Sequence, residues 1–477
     1  MTIKNANRAL KRALPEISFF DQATCYSYSF DSLKLSFMPD AVIQIREAVQ
    51  VGQVLKLANR YQIPVTTRGA GTTRTAGATP TQGGWILDVS GLNSIRIDKV
   101  YGQAEVGPGA ITAKLQERAE AAGWFYPPDP SSKKYSTIGG NIACNAGGLR
   151  GGKYGVTRDY VLGLQGFLPT GEPVSWARAT RKFATGFNMR DLWIGSEGML
   201  GVITGASLKL IGRPETKWTG LVAFQNETAA LRAVARLLAS QVLPSICEFM
   251  DRNAVRGAEA FLGRPIFAGQ QEKPLVLLEL DGRSSVVKAE KATVKSWAKE
   301  TGLAFREART PEAAEHLWEA RRACSPAMFR LADSKLNEDI VVPLNRQVKL
   351  MQAVKALEKE FKLPVATFGH AGDGNLHINF MYHGDDMEEA TRAHEAVGAL
   401  FKIVVDLGGA ISGEHGIGLA KSPFLETQFT TTEIQAMQSI KRALDPNNIL
   451  NPDKIFKPTQ VWEHRPVKHQ FPWDRSG

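Results

Sequence analysis

Three glycine-dense stretches in the first half of the chain constrain its fold more than any other feature. The first, Pro64-Val-Thr-Thr-Arg-Gly-Ala-Gly-Thr-Thr-Arg-Thr-Ala-Gly-Ala78, leads from a β-like run into a loop carrying Arg68, Gly69, Gly71, Thr72 and Thr73. Such a loop exposes successive backbone N–H groups, and glycine lets an anion approach closely. Threonine hydroxyls add donors, so the loop suits a diphosphate. It is not a Walker A loop, because no Gly-Lys-Ser/Thr follows, and the GxGxxG spacing of a Rossmann turn is absent. The second stretch is Pro127-Pro-Asp-Pro-Ser-Ser132 followed by Ser136-Thr-Ile-Gly-Gly-Asn-Ile-Ala-Cys-Asn-Ala-Gly-Gly148; the third is Ile194-Gly-Ser-Glu-Gly-Met-Leu-Gly-Val-Ile-Thr204. Each alone reads as a tight turn. All three together imply backbone packed flat against a planar ligand.

At 477 residues the chain is too long for one core. Residues 1–34 read as a helical lead-in. Residues 35–215 carry short β-like runs at 63–67, 85–89 and 207–211, with a helix at 51–61. From 216 to 457, helical segments at 228–240, 287–300, 311–322 and 345–361 alternate with strands at 275–280 and 376–380, an α+β second domain. Pro364 ends a helix and opens a strand at 365–368. The 458–477 tail, with Trp462, Phe471 and Trp473, is expected to lie along the surface or to touch a partner.

Composition narrows the class. Hydrophobic residues at 43% and charged residues at 22% describe an ordinary globular protein. No apolar run is long enough to span a bilayer, and the basic N-terminus lacks the apolar block of a secretory signal. Glu16 and Asp21 come early for a mitochondrial transit peptide, so a cytoplasmic location is expected, with peripheral membrane contact compatible. The net charge of +10 comes without a Lys/Arg run or a basic–aromatic stripe. It fits anionic substrates or an acidic partner better than nucleic acid. Cys25, Cys144, Cys247 and Cys324 lie too far apart for a zinc ribbon or a four-cysteine iron–sulfur cluster.

The second half concentrates histidine chemistry. Of eight histidines, two fall in Phe368-Gly-His-Ala-Gly-Asp-Gly-Asn-Leu-His-Ile-Asn-Phe380. Asp373-Gly374 is a hairpin turn signal. Beyond it, Leu376, Ile378 and Phe380 alternate with His377 and Asn379, so the apolar set faces the core and the polar pair a cavity. The loop length puts His370 on the face of His377, a plausible metal clip. In Gly409-Ala-Ile-Ser-Gly-Glu-His-Gly-Ile-Gly418 the glycines present Glu414 and His415 from a sharp turn. His316, His383, His394, His464 and His469 read as ordinary side chains.

The order RGAGTTRTAGA, PPDPSS, TIGGNIACNAGG, GSEGMLGVIT closely resembles the FAD-binding domain of the vanillyl-alcohol oxidase / p-cresol methylhydroxylase superfamily. Within it, the chain is similar to the group of D-lactate dehydrogenase, the glycolate oxidase FAD subunit and D-2-hydroxyglutarate dehydrogenase, over residues 35 to 457. The resemblance implies an α+β fold: a two-part FAD-binding domain, then a substrate or cap domain with an antiparallel sheet. It implies that Arg68, Gly69, Ala70, Gly71, Thr72 and Thr73 bind the FAD pyrophosphate. It assigns the flavin and adenosine to Asp129, Ser131, Gly139, Gly140, Asn145, Gly147, Gly195, Gly201 and Ile203. Met199 replaces a small hydroxylic residue usual in the family, a packing change. No His or Cys occurs between Ile63 and Gly102, so non-covalent FAD is expected.

The resemblance also implies His370, His377 and Glu414 as ligands of a divalent metal, with His415 as catalytic base and Asn379 in contact with substrate. Leu317-Trp-Glu-Ala-Arg-Arg-Ala-Cys-Ser325 resembles the segment that supplies a carboxylate-binding arginine, which points to Arg321 with Ser325 nearby. Members that hold a distal carboxylate use a lysine where this chain has Asn337; Lys335 matches only in a shifted register. The implied reaction is FAD-dependent oxidation of a small D-2-hydroxy acid, D-lactate foremost. Glycolate, D-2-hydroxyglutarate and a flavin subunit of a larger oxidase stand as alternatives. Zinc suits two His and one Glu, with manganese, iron or cobalt open. Electrons must pass to a quinone, a cytochrome, an electron-transfer flavoprotein or a separate iron–sulfur subunit. A homodimer is compatible.

Overall fold

The computed structural model describes residues 2–464 and 466–472, so Trp473 of the expected aromatic tail lies outside the described residues. Contacts divide the chain into two compact units. One is built from Met1–Ala146, Val156–Gly212 and Glu414–Phe471; the other holds Gly147–Gly155 and Arg213–Gly413.

The first unit contains a four-stranded sheet in the order β1-β2-β4-β3, from β1 (Ser18–Phe19), β2 (Ala41–Gln44), β3 (Val65–Arg68) and β4 (Trp85–Asp88). β2, β4 and β3 run parallel, which requires cover on both faces and explains their apolar runs. The helix Ala48–Tyr61 supplies part of that cover through Val51, Val54, Leu55 and Ala58, the spacing read from the sequence. A five-stranded antiparallel sheet follows in the order β5-β6-β10-β8-β9: β5 (Ile95–Asp98), β6 (Gln103–Val106), β8 (Val161–Phe167), β9 (Pro173–Ala177) and β10 (Val202–Lys209). A two-stranded ribbon joins β7 (Trp124–Phe125) to β11 (Ile211–Gly212).

The segment after Gly413 returns to this unit, whereas the sequence places everything from 216 to 457 in one second domain. The return has a physical cause. Ile449 and Leu450 are buried in the same cluster as Val65 and Trp85. Val65 N donates to Ile449 O at 2.7 Å and Asn451 N to Val65 O at 2.8 Å, which completes the free edge of β3. The buried Lys441 donates to Met199 O and Leu450 O and pairs with Asp445. Farther on, His469 and Phe471 pack on Phe30 with ring centroids 5.0 and 5.7 Å away, so the described part of the tail lies along this unit.

The second unit is organised by one seven-stranded antiparallel sheet in the order β15-β12-β14-β13-β17-β18-β16. Its strands are β12 (Thr216–Ala223), β13 (Ile246–Met250), β14 (Leu275–Gly282), β15 (Ala304–Glu307), β16 (Ser334–Val341), β17 (Val365–His370) and β18 (Asn375–Tyr382). Helices Arg252–Leu262 and Pro311–Ala327 pack on the face that carries Met250, Phe368 and Met381. The hairpin expected at Asp373-Gly374 joins β17 to β18. No helix of the described residues is long and apolar enough to cross a membrane.

Candidate active site

In the first unit, β3 delivers the chain into the loop at 69–78. The N–H groups of Ala70, Gly71, Thr72 and Thr73 donate to no protein acceptor among the described residues. A run of backbone donors without protein acceptors fits a diphosphate. Arg68 is the last residue of β3. Its guanidinium is buried, donates to Phe30 O at 2.7 Å and lies over the Tyr28 ring, so it props the loop from beneath. Gly71 has φ +68°, and a Cβ there would meet Arg68 Nη2 at 2.4 Å, so glycine and arginine are matched.

The other expected cofactor residues divide by role. Gly69 abuts Thr137, which caps the helix Ile138–Cys144 by accepting from Gly140 N. Gly139 packs on Pro108 and Gly201 on Trp193. Asn145 ends that helix in a left-handed conformation, and its Oδ1 accepts from Arg158 N at 3.0 Å. Gly195 N donates to Ile142 O. Asp129, Gly147 and Ile203 are buried, while Ser131 and Gly140 are exposed. Met199 is buried as a packing residue, and what it offers its neighbours is its carbonyl, to Lys441.

In the second unit, strand register brings the polar residues together. Directly opposed residues of antiparallel strands project to one face. Glu248 opposes His370, Phe368 opposes His377, and Asp339 also opposes His377. Glu248, His370, His377 and Asp339 therefore share one face, with Leu376, Ile378 and Phe380 on the other, as the alternation implies. The two imidazole centroids are 5.4 Å apart. His370 Nδ1 lies 2.5 Å from Glu248 Oε1, and Arg321 Nε donates to Glu248 Oε2 at 2.5 Å. Arg321 comes from the helix Pro311–Ala327, and its guanidinium lies 4.7 Å from the Phe368 ring centre. Ser325, one turn farther along the same helix face, accepts from Lys335 Nζ at 3.4 Å. Asn379 is fully buried. Its Nδ2 donates to Ala366 O and His377 O, and its Oδ1 accepts from Asn337, so it orders the sheet face and positions Asn337.

Glu248 is fully buried. Burial alone would raise its carboxyl, but the adjoining His370 and Arg321 charges prevail and hold it down at about 2. Sequence reading missed this residue. Its only signal was a lone carboxylate in the apolar run Ile246–Met250. Asp339 and Asn375 were also missed. Asn375 Nδ2 donates to Asp339 Oδ1 at 2.6 Å, and Asp339 Oδ2 accepts from Ser412 Oγ and Gly413 N. A Cβ on Gly413 would sit 2.2 Å from Asn375 Nδ2, so glycine is needed where the chain turns into Glu414. Glu414 and His415 follow directly and are half-buried. The donor atoms of His370, His377 and Glu414 lie within 4.8 Å of one another, and two imidazoles with a carboxylate suit a small divalent ion. Beyond them, Ile417 N and Gly418 N donate to Glu197 at 2.7 and 2.8 Å, oppose the upward push of burial on that carboxyl, and fix the exit of the turn.

A glycine loop with a run of free backbone donors in one unit and a histidine-bearing antiparallel sheet in the other fit an FAD-dependent oxidoreductase, the class that the family matches show. The chain belongs to the FAD-linked oxidases: the family model for "FAD linked oxidases, C-terminal domain" matches residues 213–455, and that for "FAD binding domain" matches 39–176. It is 38% identical over 434 residues to the glycolate oxidase subunit GlcD of Bacillus subtilis, covering 90% of this chain and 92% of the relative. It is 34% identical to a D-lactate dehydrogenase of Anaerostipes hadrus, covering 87% and 89%. Among solved structures, p-cresol methylhydroxylase superposes with a TM-score of 0.78 at 15% identity, over 95% of this chain and 97% of that one. At that identity the likeness speaks for the fold, the one implied by the glycine motifs.

Proposed function

We propose that this protein oxidises a small D-2-hydroxy acid, D-lactate foremost, to the 2-oxo acid, with non-covalent FAD and a divalent metal held by His370, His377 and Glu414. When bound, the flavin supplies a hydride acceptor at N5 and the metal a Lewis acid that acidifies the substrate hydroxyl. Arg321 grips the substrate carboxylate through charge-assisted hydrogen bonds and fixes which face of Cα is presented. His415 accepts the hydroxyl proton, a task suited to a group titrating near neutrality. Ser325 and the Asn337–Asn379 pair order the wall against which the rest of the substrate lies. The observation that carries this reading is the convergence of His370, His377 and Arg321 on one sheet face around Glu248.

The test is anaerobic bleaching of the bound flavin by D-lactate. His415→Ala should retain flavin and lose about 10²–10⁴-fold in reduction rate; undiminished reduction would remove His415 from the base role. A panel of D- and L-2-hydroxy acids ranks the substrates. Glycolate draws support from the Bacillus subtilis relative's name. Asn337 in place of the lysine that holds a distal carboxylate weighs against D-2-hydroxyglutarate, and Lys335 donates instead to Ser325. The acceptor of the electrons is a separate quinone, cytochrome, flavoprotein or iron–sulfur subunit.

A further inference from the structure

We infer that Glu248 is a positioning residue that sets the histidine tautomer and the arginine orientation together, through the two oxygens of one buried carboxylate. The inference rests on the metal and carboxylate roles proposed above for His370 and Arg321. The geometry is reciprocal. Oε1 meets His370 Nδ1 and Oε2 meets Arg321 Nε, both at 2.5 Å, from a side chain with no exposure. A neutral imidazole carries one proton. A carboxylate at Nδ1 draws the proton to that nitrogen and makes Nε2 the donor atom for a metal. On the other oxygen, the Nε contact and the Phe368 ring 4.7 Å from Cζ fix the plane of the guanidinium.

A purely architectural role fits poorly. β13 is otherwise apolar, with Ile246, Cys247, Phe249 and Met250 all buried. Apolar residues commonly replace a buried ion pair without loss of stability. A carboxylate in that strand is explained by what it orients. Glutamine is the discriminating replacement, because it has one acceptor where glutamate has two. In E248Q the amide oxygen is drawn to the permanently charged Arg321. The amide NH₂ then faces His370 Nδ1, which must accept, and the imidazole is driven to the Nε2–H tautomer that cannot ligate.

The experiment uses the full-length flavoprotein, stripped with chelator and titrated with Zn²⁺, with flavin absorbance and the melting curve as controls on folding. E248Q should keep its flavin and a cooperative melt, lose about 10–100-fold in Zn²⁺ affinity, and show a raised KM for D-lactate. E248D should recover part of both losses, and R321K should raise KM while Zn²⁺ affinity stays. ¹⁵N spectra of histidine-labelled, metal-free protein, recorded at a pH high enough to leave the imidazole neutral and with H370A to assign the signal, should show Nδ1–H in the wild type and Nε2–H in E248Q. If E248Q matches the wild type in Zn²⁺ affinity, KM and tautomer, the inference is overturned. If the wild type itself takes up no Zn²⁺, the metal reading fails separately, and the His370 tautomer with KM still decides the role of Glu248.

Discussion

Asp251 shows how burial retunes a single side chain. It caps the helix Arg252–Leu262 by accepting from Ala254 N at 2.8 Å, yet its Oδ2 has no hydrogen-bond partner and the residue is fully buried. Burial pushes its carboxyl up to about 7, against the opposing charge of Lys355 at 3.9 Å. The folded protein therefore keeps a proton that the unfolded chain releases near pH 4, roughly the ordinary aspartate value. The resulting loss of stability grows as pH rises from about 4 to about 7 and is complete above that. Asp251→Asn keeps the cap oxygen and removes the charge. Calorimetry should find its Tm equal to wild type near pH 4 and higher by on the order of a few degrees at pH 8. At this scale the sequence was partly legible. His370, His377 and Glu414 stood out because imidazoles and a carboxylate between glycines are rare combinations. Glu248 did not, because its partners lie 73 and 122 residues away along the chain.

Among elements, the β17–β18 hairpin was the most legible, since its turn and its alternation are both local signals. The helix expected at 311–322 runs on to Ala327, with Pro326 tolerated in its last turn. That extension puts Arg321 and Ser325 four residues apart on one continuous helix, which no local pattern announced. The turn at Ser412–Gly413 depends on a long-range fit: Asp339 and Asn375 fill the space a side chain would need. Gly413→Ala should displace Asn375 and shift Glu414. We expect a lower Tm and Zn²⁺ affinity reduced by about tenfold or more, read by calorimetry and metal titration, with the flavin spectrum unchanged. Unaltered metal affinity would show that this fit does not set the position of Glu414.

For the whole molecule, the family-matched segments and the compact units do not coincide. The FAD-binding match covers 39–176, of which 147–155 falls in the other unit, and the unit that holds the rest also includes Glu414–Phe471. Local texture could not reveal this, because the 431–444 helix and the Ile449–Leu450 step look alike in either unit. A chain ending at Gly413 keeps the whole diphosphate loop but leaves β3 without its Ile449–Asn451 partner. It should fail to retain FAD on gel filtration; a yellow, monodisperse product would refute the dependence. The separated cysteines lead to a further expectation: after anaerobic reduction by substrate, the spectrum should show flavin alone, and reoxidation should need an added acceptor such as a quinone analogue or dye. The returning segment also sets an order of events on the ribosome. The first unit cannot be finished until residues 449–451 have emerged, after residues 213–413 have been released to fold. Until then the nascent β3 edge stands open, and a ribosome stalled before residue 449 leaves a half-built domain for chaperones to shield.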